Sequence, residues 1–256
     1  MWKYGFSSVA GIHHVKSSTP CQDASRVEVV REASGAEVLI AVASDGAGSA
    51  TLAQVGSALA CDMFIADVRS LIEGGNTQAL LSDNFIADWF VKFRGVATNW
   101  SGRESARIQD LACTLLAAVV WRDRAVYFQI GDGAIVESRR DEPDRYTVVC
   151  WPQQGEYANM TNFLTDANAA EKVIRETRTG AVDEIAIFTD GIQRLALDYR
   201  ARSAHAPFFA PLFAWLRPRP GGGSRELSDS LAVYLNSEKI NSRTDDDKTL
   251  ILATRR

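Results

Sequence analysis

Val38-Leu39-Ile40-Ala41-Val42-Ala43-Ser44-Asp45-Gly46-Ala47-Gly48 joins a six-residue apolar run to a carboxylate and a glycine-flanked turn. An unbroken apolar run of this length, ended by turn residues, reads as a strand buried on both faces. The same construction returns at Ile185-Ala186-Ile187-Phe188, followed by Thr189-Asp190-Gly191. It appears in reverse order at Asp245-Asp246-Asp247-Lys248-Thr249, ahead of Leu250-Ile251-Leu252-Ala253. Core strands hold their end residues rigidly while solvent or a ligand still reaches them. Carboxylates that converge in this way repel one another, and a cation offsets the repulsion. Asp45, Asp190 and Asp246 therefore read as a metal site.

Outward from residue 45, segments 26–31 and 37–43 read as paired strands around the turn Ser34-Gly35. After Gly48-Ser49, Leu52, Val55, Leu59 and Met63 fall at helical spacing, and Gly74-Gly75 stops the helix. A second helix is predicted over 84–99, with Phe85, Trp89, Phe90 and Phe93 on one side. Segments 112–121, 125–130, 134–137 and 146–150 read as consecutive strands. The turn Gly131-Asp132-Gly133 fits a hairpin, which makes Asp132 a structural residue. Segment 151–166 is a long polar-aromatic loop. Segment 203–224 carries four prolines among large apolar side chains, which predicts a short docked helix and then a surface loop. Ser224 is the expected N-cap of a last helix whose inner face holds Leu227, Leu231, Tyr234 and Leu235. Blocks of strands and helices, without strict alternation, predict one α+β layered domain over 1–256.

A chain of 256 residues with 46% hydrophobic and 23% charged residues has the make-up of a globular enzyme. Its formal net charge of -4 gives neither a basic footprint for nucleic acid nor a polybasic patch for an anionic membrane. The four cysteines are widely spaced, which argues for reduced thiols and against a disulfide framework or zinc knuckle. Residues 1–8 lack the apolar core of a signal peptide, and the apolar stretch 111–121 is too short for a membrane-spanning helix. The expectation is a cytoplasmic monomer.

The ligand type narrows the chemistry. Asp45, Asp190 and Asp246 are oxygen donors, with no histidine pair at helical spacing and no cysteine cluster beside them. Hard oxygen ligands favour magnesium or manganese over zinc. Gly46 and Gly48 let the backbone approach an ion and offer a carbonyl oxygen. Two such ions sharing a carboxylate can hold a water, lower its pKa and neutralise a phosphoryl group. The residues point to metal-assisted hydrolysis of an anionic ester.

The ordered set Cys21-Gln22-Asp23, Ser44-Asp45-Gly46-Ala47-Gly48-Ser49, Cys113-Thr114, Gly131-Asp132-Gly133, Thr189-Asp190-Gly191 and Asp246-Asp247-Lys248-Thr249 resembles the metal-dependent serine/threonine protein phosphatases of type 2C, in their bacterial branch. The resemblance runs from about residue 11 to residue 253. It implies a four-layer α-β-β-α sandwich of two mainly antiparallel sheets flanked by helices, with two manganese or magnesium ions in a cleft at one end. Asp45 matches the carboxylate that bridges both ions, and Gly46 the residue whose carbonyl binds the second. Asp190 and Asp246 match terminal ligands of the first. Asp23 matches the acid that holds a metal-bound water, and Asp110 lies near the position where some members bind a third, weaker ion. Loop 151–166 corresponds to the flap beside the cleft. The implied partners are phosphorylated proteins, substrates of a serine/threonine kinase.

Two departures from the family pattern stand out. Where the family commonly has an arginine that grips the substrate phosphate, this chain has His14, with His13 and Lys16 close by. A histidine donates a charged hydrogen bond only when protonated and lacks the bidentate fork of arginine. Gln22 stands where glutamate is usual and removes one charge. Neither change touches a metal ligand. Two other readings stay open at this level: a phosphatase-like binding module without turnover, and a hydrolase of small phosphate esters.

Overall fold

A computed structural model describes residues 1–82, 84–153 and 161–256. The chain opens with β1 (Lys3–Val9), α1 (Ile12–Ser17) and the hairpin of β2 (Ala24–Arg31) and β3 (Glu37–Ser44). Two long helices follow, α2 (Ala53–Glu73) and α3 (Asn84–Arg103). Next come β4 (Leu115–Val120), β5 (Arg124–Ile130), β6 (Ala134–Arg139) and β7 (Thr147–Cys150). After α4 (Ala169–Lys172), β8 (Ile174–Thr179), β9 (Val182–Phe188) and α5 (Gln193–Ala196), β10 (Leu197–Asp198) and β11 (Ser203–Ala204) form a small ribbon. The chain closes with α6 (Ala206–Leu216), β12 (Gly222–Gly223), α7 (Arg225–Leu235), α8 (Glu238–Asn241) and β13 (Lys248–Thr254).

Two sheets form the middle of the molecule. One has the order β2-β3-β4-β5-β8 and the other β12-β1-β13-β9-β6-β7. Every pairing within them is antiparallel except the two-residue contact of β12 with β1. The alternation along β3 shows how the layers are held. Val38, Ile40 and Val42 pack with α2 and α3 residues such as Phe64, Val68 and Phe93. Leu39, Ala41 and Ala43 turn the other way, onto Ile185, Ile187, Ile251 and Ala253 of the second sheet. With both faces covered, the strand has no need of polar residues, which explains its continuous apolar reading. The outer face of the second sheet is closed by α6 and α7 through Phe209, Phe213, Leu227 and Leu231. This is the four-layer sandwich the sequence led us to expect.

Several local expectations change. The buried face of α2 is carried by Ala60, Phe64 and Val68, while Leu52, Val55, Leu59 and Met63 lie half-buried at its flank. Gly131-Asp132-Gly133 is not a hairpin turn. β5 already has β4 and β8 on its two edges, and β6 pairs with β9 and β7, so the tripeptide carries the chain from one sheet to the other. Gly131 has φ of +115, and a Cβ there would lie 2.5 Å from Thr114 Cγ2, so this crossover needs glycine. The Ser224 cap is present, its Oγ accepting from Leu227 N at 3.1 Å. Part of the expected flap, 154–160, lies outside the described residues. Among the described residues, no helix is long and apolar enough to cross a membrane.

Candidate metal centre

Asp45 is the first residue beyond β3, and its backbone is fastened to the neighbouring strand entry. Its N–H donates to Thr114 Oγ1 (2.9 Å), and Thr114 N–H donates back to the Asp45 carbonyl (2.8 Å). Ser44 Oγ adds a bond to the Thr114 carbonyl (2.6 Å). Gly46 then passes so close to Gln22 that a Cβ would lie 2.7 Å from the Gln22 carbonyl oxygen. Asp190 begins the single 3-10 turn after β9, and Asp132 sits in the intersheet crossover. Oxygens of Asp45, Asp132 and Asp190 all lie within 4.8 Å of one another.

These three carboxylates belong to a pocket of about 310 Å³ that also takes in His13, His14, Gln22, Gly46, Thr114, Thr161, Asp246 and Asp247. Burial, followed by the charges of Asp23, Asp190 and Asp132, raises the Asp45 carboxyl well above the usual carboxylate range. Burial first, then Asp132 and Asp246, push Asp190 up to about 7. Asp23 is also pushed up to about 7, mainly by burial, against the hydrogen bonds from Thr189 and Thr249 that favour its charged form. Thr189 Oγ1 and Thr249 Oγ1 each donate to Asp23 Oδ2 at 2.7 Å. Asp23 Oδ1 and Gln22 Oε1 are buried with no hydrogen-bond partner among the described residues.

The arrangement fits a divalent cation. Asp45, Asp132 and Asp190 form no ion pair with lysine or arginine among the described residues, and the raised proton affinities of Asp45 and Asp190 express charge without a counter-ion. The donors are hard oxygens, as magnesium and manganese require. One three-carboxylate cluster, able to hold one ion, is what the described residues bring together.

Asp132 therefore joins the centre, contrary to the structural role expected from its turn. Its Oδ2 accepts from Thr161 Oγ1 at 2.6 Å, so the far end of the flap segment is tied to it. Asp246 stands in the same pocket but outside the close cluster. Asp110 is not brought there. Its carboxylate accepts from Arg107 N–H (2.8 Å) and pairs with the Arg107 guanidinium, and these contacts hold its carboxyl below the usual range. Lys16 is exposed and outside the pocket, whereas His14 is inside it.

Asp247 was passed over in the sequence because it looked like one member of a charge run. In the structure it is buried and accepts three donors: Gly11 N–H (2.7 Å), Gln22 N–H (2.6 Å) and, through Oδ1, His14 Nδ1 (2.8 Å). It ties α1, the 21–23 segment and the start of β13 together. Its place directly before a strand with the apolar run Leu250–Ala253 is the signal that marks it, since that fully buried strand turns the residue inward.

Fold and site together define a metal-dependent serine/threonine phosphatase. A family model described as protein phosphatase 2C matches residues 10–236, and the chain belongs to that family. It is 34% identical over 252 residues to serine/threonine-protein phosphatase 3 of Escherichia coli (strain K12), covering 98% of each chain. Serine/threonine phosphatase Stp1 from Staphylococcus aureus shares the fold with a TM-score of 0.60 at 15% identity, over 100% of this chain and 96% of that one. The S. agalactiae serine/threonine phosphatase does so with a TM-score of 0.61 at 13% identity, over 100% of both chains.

Proposed function

We propose that the protein hydrolyses phosphoserine and phosphothreonine in protein substrates with two divalent ions, manganese or magnesium, at the Asp45 centre. The observation that carries this reading is the convergence of Asp45, Asp132 and Asp190 within 4.8 Å, without a basic partner among the described residues. When bound, the ions supply an activated water and offset the charge of the phosphoryl group. Asp45, the Gly46 carbonyl, Asp190 and Asp246, which line one pocket, would hold these ions. Asp132 replaces Asp110 as the carboxylate for a third ion, because the Asp110 carboxylate is engaged by Arg107.

The remaining residues orient substrate and water. Asp23, held by two threonine hydroxyls, has one buried oxygen left over to accept a hydrogen bond from the attacking water. A carboxylate oxygen accepts, so the His14–Asp247 contact places a proton on His14 Nδ1, and in the doubly protonated imidazolium Nε2–H donates to the substrate phosphate. The partners are phosphoproteins acted on by a serine/threonine kinase, and the working form is a monomer.

The test is hydrolysis of a phosphothreonine peptide and of p-nitrophenyl phosphate by chelator-stripped protein, with manganese or magnesium added back. Peptide turnover should vanish on stripping and return with either ion. Full turnover in metal-free buffer would remove the metal reading, and cleavage of p-nitrophenyl phosphate alone would favour a small-ester hydrolase.

A further inference from the structure

A second cavity, larger than the carboxylate pocket at about 770 Å³, lies under α6 and against α5 and α8. Its floor is apolar, made by Phe208, Leu212 and Tyr234. Arg194, Lys239 and Arg243 also line it, all three exposed. None of the three makes an ion pair or a side-chain hydrogen bond among the described residues. Asp198 is the acid beside them, and its Oδ1 already accepts from Ala201 N–H at 2.9 Å.

Three unpaired cations around one apolar cleft reverse the local charge of a chain whose formal net charge is -4. An apolar floor with a basic rim suits an extended chain that carries both acidic and apolar side chains. The cleft also borders the metal centre. Arg194 lies four residues after Asp190, on the short helix that continues the Asp190 turn. Tyr199, in the cleft wall, packs edge-on against Trp151 at 5.4 Å, at the start of the segment that returns to Asp132 through Thr161. The Asp190 turn and the short helix follow one another directly, so an extended peptide reaches from one to the other in a few residues.

We propose that this cleft docks an acidic segment of the phosphoprotein substrate, a few residues from the phosphorylated side chain. The proposal rests on the protein-phosphatase reading above for the origin of the segment. Docking here selects among phosphoproteins by sequence context and leaves the chemical step to the carboxylate centre.

The experiment compares wild type with the triple variant Arg194→Gln, Lys239→Gln, Arg243→Gln. Substrates are a phosphothreonine peptide flanked by Asp and Glu, its neutral-flanked counterpart and p-nitrophenyl phosphate. Binding of the unphosphorylated acidic peptide is followed separately by fluorescence anisotropy. The triple variant should lose about tenfold in kcat/KM on the acidic peptide, mostly through KM, and a similar factor in anisotropy affinity. The other two substrates should stay within about twofold. The single reversal Arg243→Glu should act in the same direction. Equal losses on both peptides, unchanged binding, or tighter binding of an oligonucleotide of equal charge would overturn the proposal. If wild type cleaves neither phosphopeptide, the protein-phosphatase reading fails, while charge-dependent anisotropy still decides whether the cleft binds acidic peptide.

Discussion

Asp45, Asp132 and Asp190 differ in how the chain delivers them but share one field, so removing Asp132 changes the proton affinity of Asp45 and Asp190. Replacing Asp45 or Asp190 by Asn should lower turnover by roughly 10²-fold or more, because the variant loses one carboxylate charge of the cluster that can hold a cation. Asp132→Asn should cost more than tenfold, and Asp110→Asn should stay within a few-fold of wild type. Initial rates at saturating manganese check the order, and an Asp110 effect larger than the Asp132 effect would reverse the assignment. Asp247 acts differently, through position. Asp247→Ala strands the N–H groups of Gly11 and Gln22 and releases His14. Each stranded buried donor costs about 1–3 kcal/mol, so Tm should fall by roughly 5 °C or more. Substrate KM should rise with it. His14→Ala should raise KM and weaken inhibition by free phosphate without the large drop in Tm, whereas Lys16→Ala, at an exposed residue outside the pocket lining, should leave both unchanged.

Among the elements, what could be read from sequence followed burial. β3, β4, β9 and β13 are closed on both faces and appear as apolar runs, and the carboxylates Asp45, Asp190 and Asp246 were found through them. β8 escaped notice because it is an edge strand, Ile-Arg-Glu-Thr-Arg-Thr, paired on one side only. β1 was missed because its sequence, Lys-Tyr-Gly-Phe-Ser-Ser-Val, has only two buried positions. Asp132 was misread because a Gly-Asp-Gly tripeptide has the same local chemistry in a hairpin and in a crossover between sheets. Pairing partners far along the chain decide between the two, and local sequence does not carry them. The crossover gives its own prediction. Gly131→Ala places a Cβ 2.6 Å from Thr114 Cβ at a left-handed φ, which should cost about 1–3 kcal/mol. Because Thr114 also holds Asp45 N–H, activity should fall further than this loss of stability alone accounts for. Thermal melts and rates measured on one preparation separate the two effects. A change in stability with full activity would mean that the crossover does not position Asp45 through Thr114.

At the scale of the whole molecule, the sandwich keeps its charges in two separate places with opposite consequences. Asp183 and Glu184, before the apolar part of β9, face a ring of arginines. Arg140 and Arg255 pair with Asp183, and Arg217 grips Glu184 through two bonds of 2.8 Å. Burial works to raise the Asp183 carboxyl, but Arg140, Arg255 and Arg256 outweigh it and hold it low. Its stabilising contribution is therefore lost only in acid, as pH falls below 3.8 toward the lowered folded value. The carboxylate cluster has no such counter-ions among the described residues, and Asp23 and Asp190 are raised from 3.8 to about 7. For these groups the folded state binds more protons than the unfolded state between those values, so stability of the metal-free protein falls as pH rises through that window. Melts in chelator should accordingly show a lower Tm at pH 8 than at pH 5.5. Saturating manganese should reverse that trend, since cations compete with protons for the same oxygens and bind best when the carboxylates are ionised. At a free-ion concentration of 100 times Kd the gain is about 2.7 kcal/mol. A metal-free Tm that rises steadily from pH 5.5 to pH 8 would show that these carboxylates are not crowded in solution as they are in the structure, and the cation site argued from that crowding would fall with it.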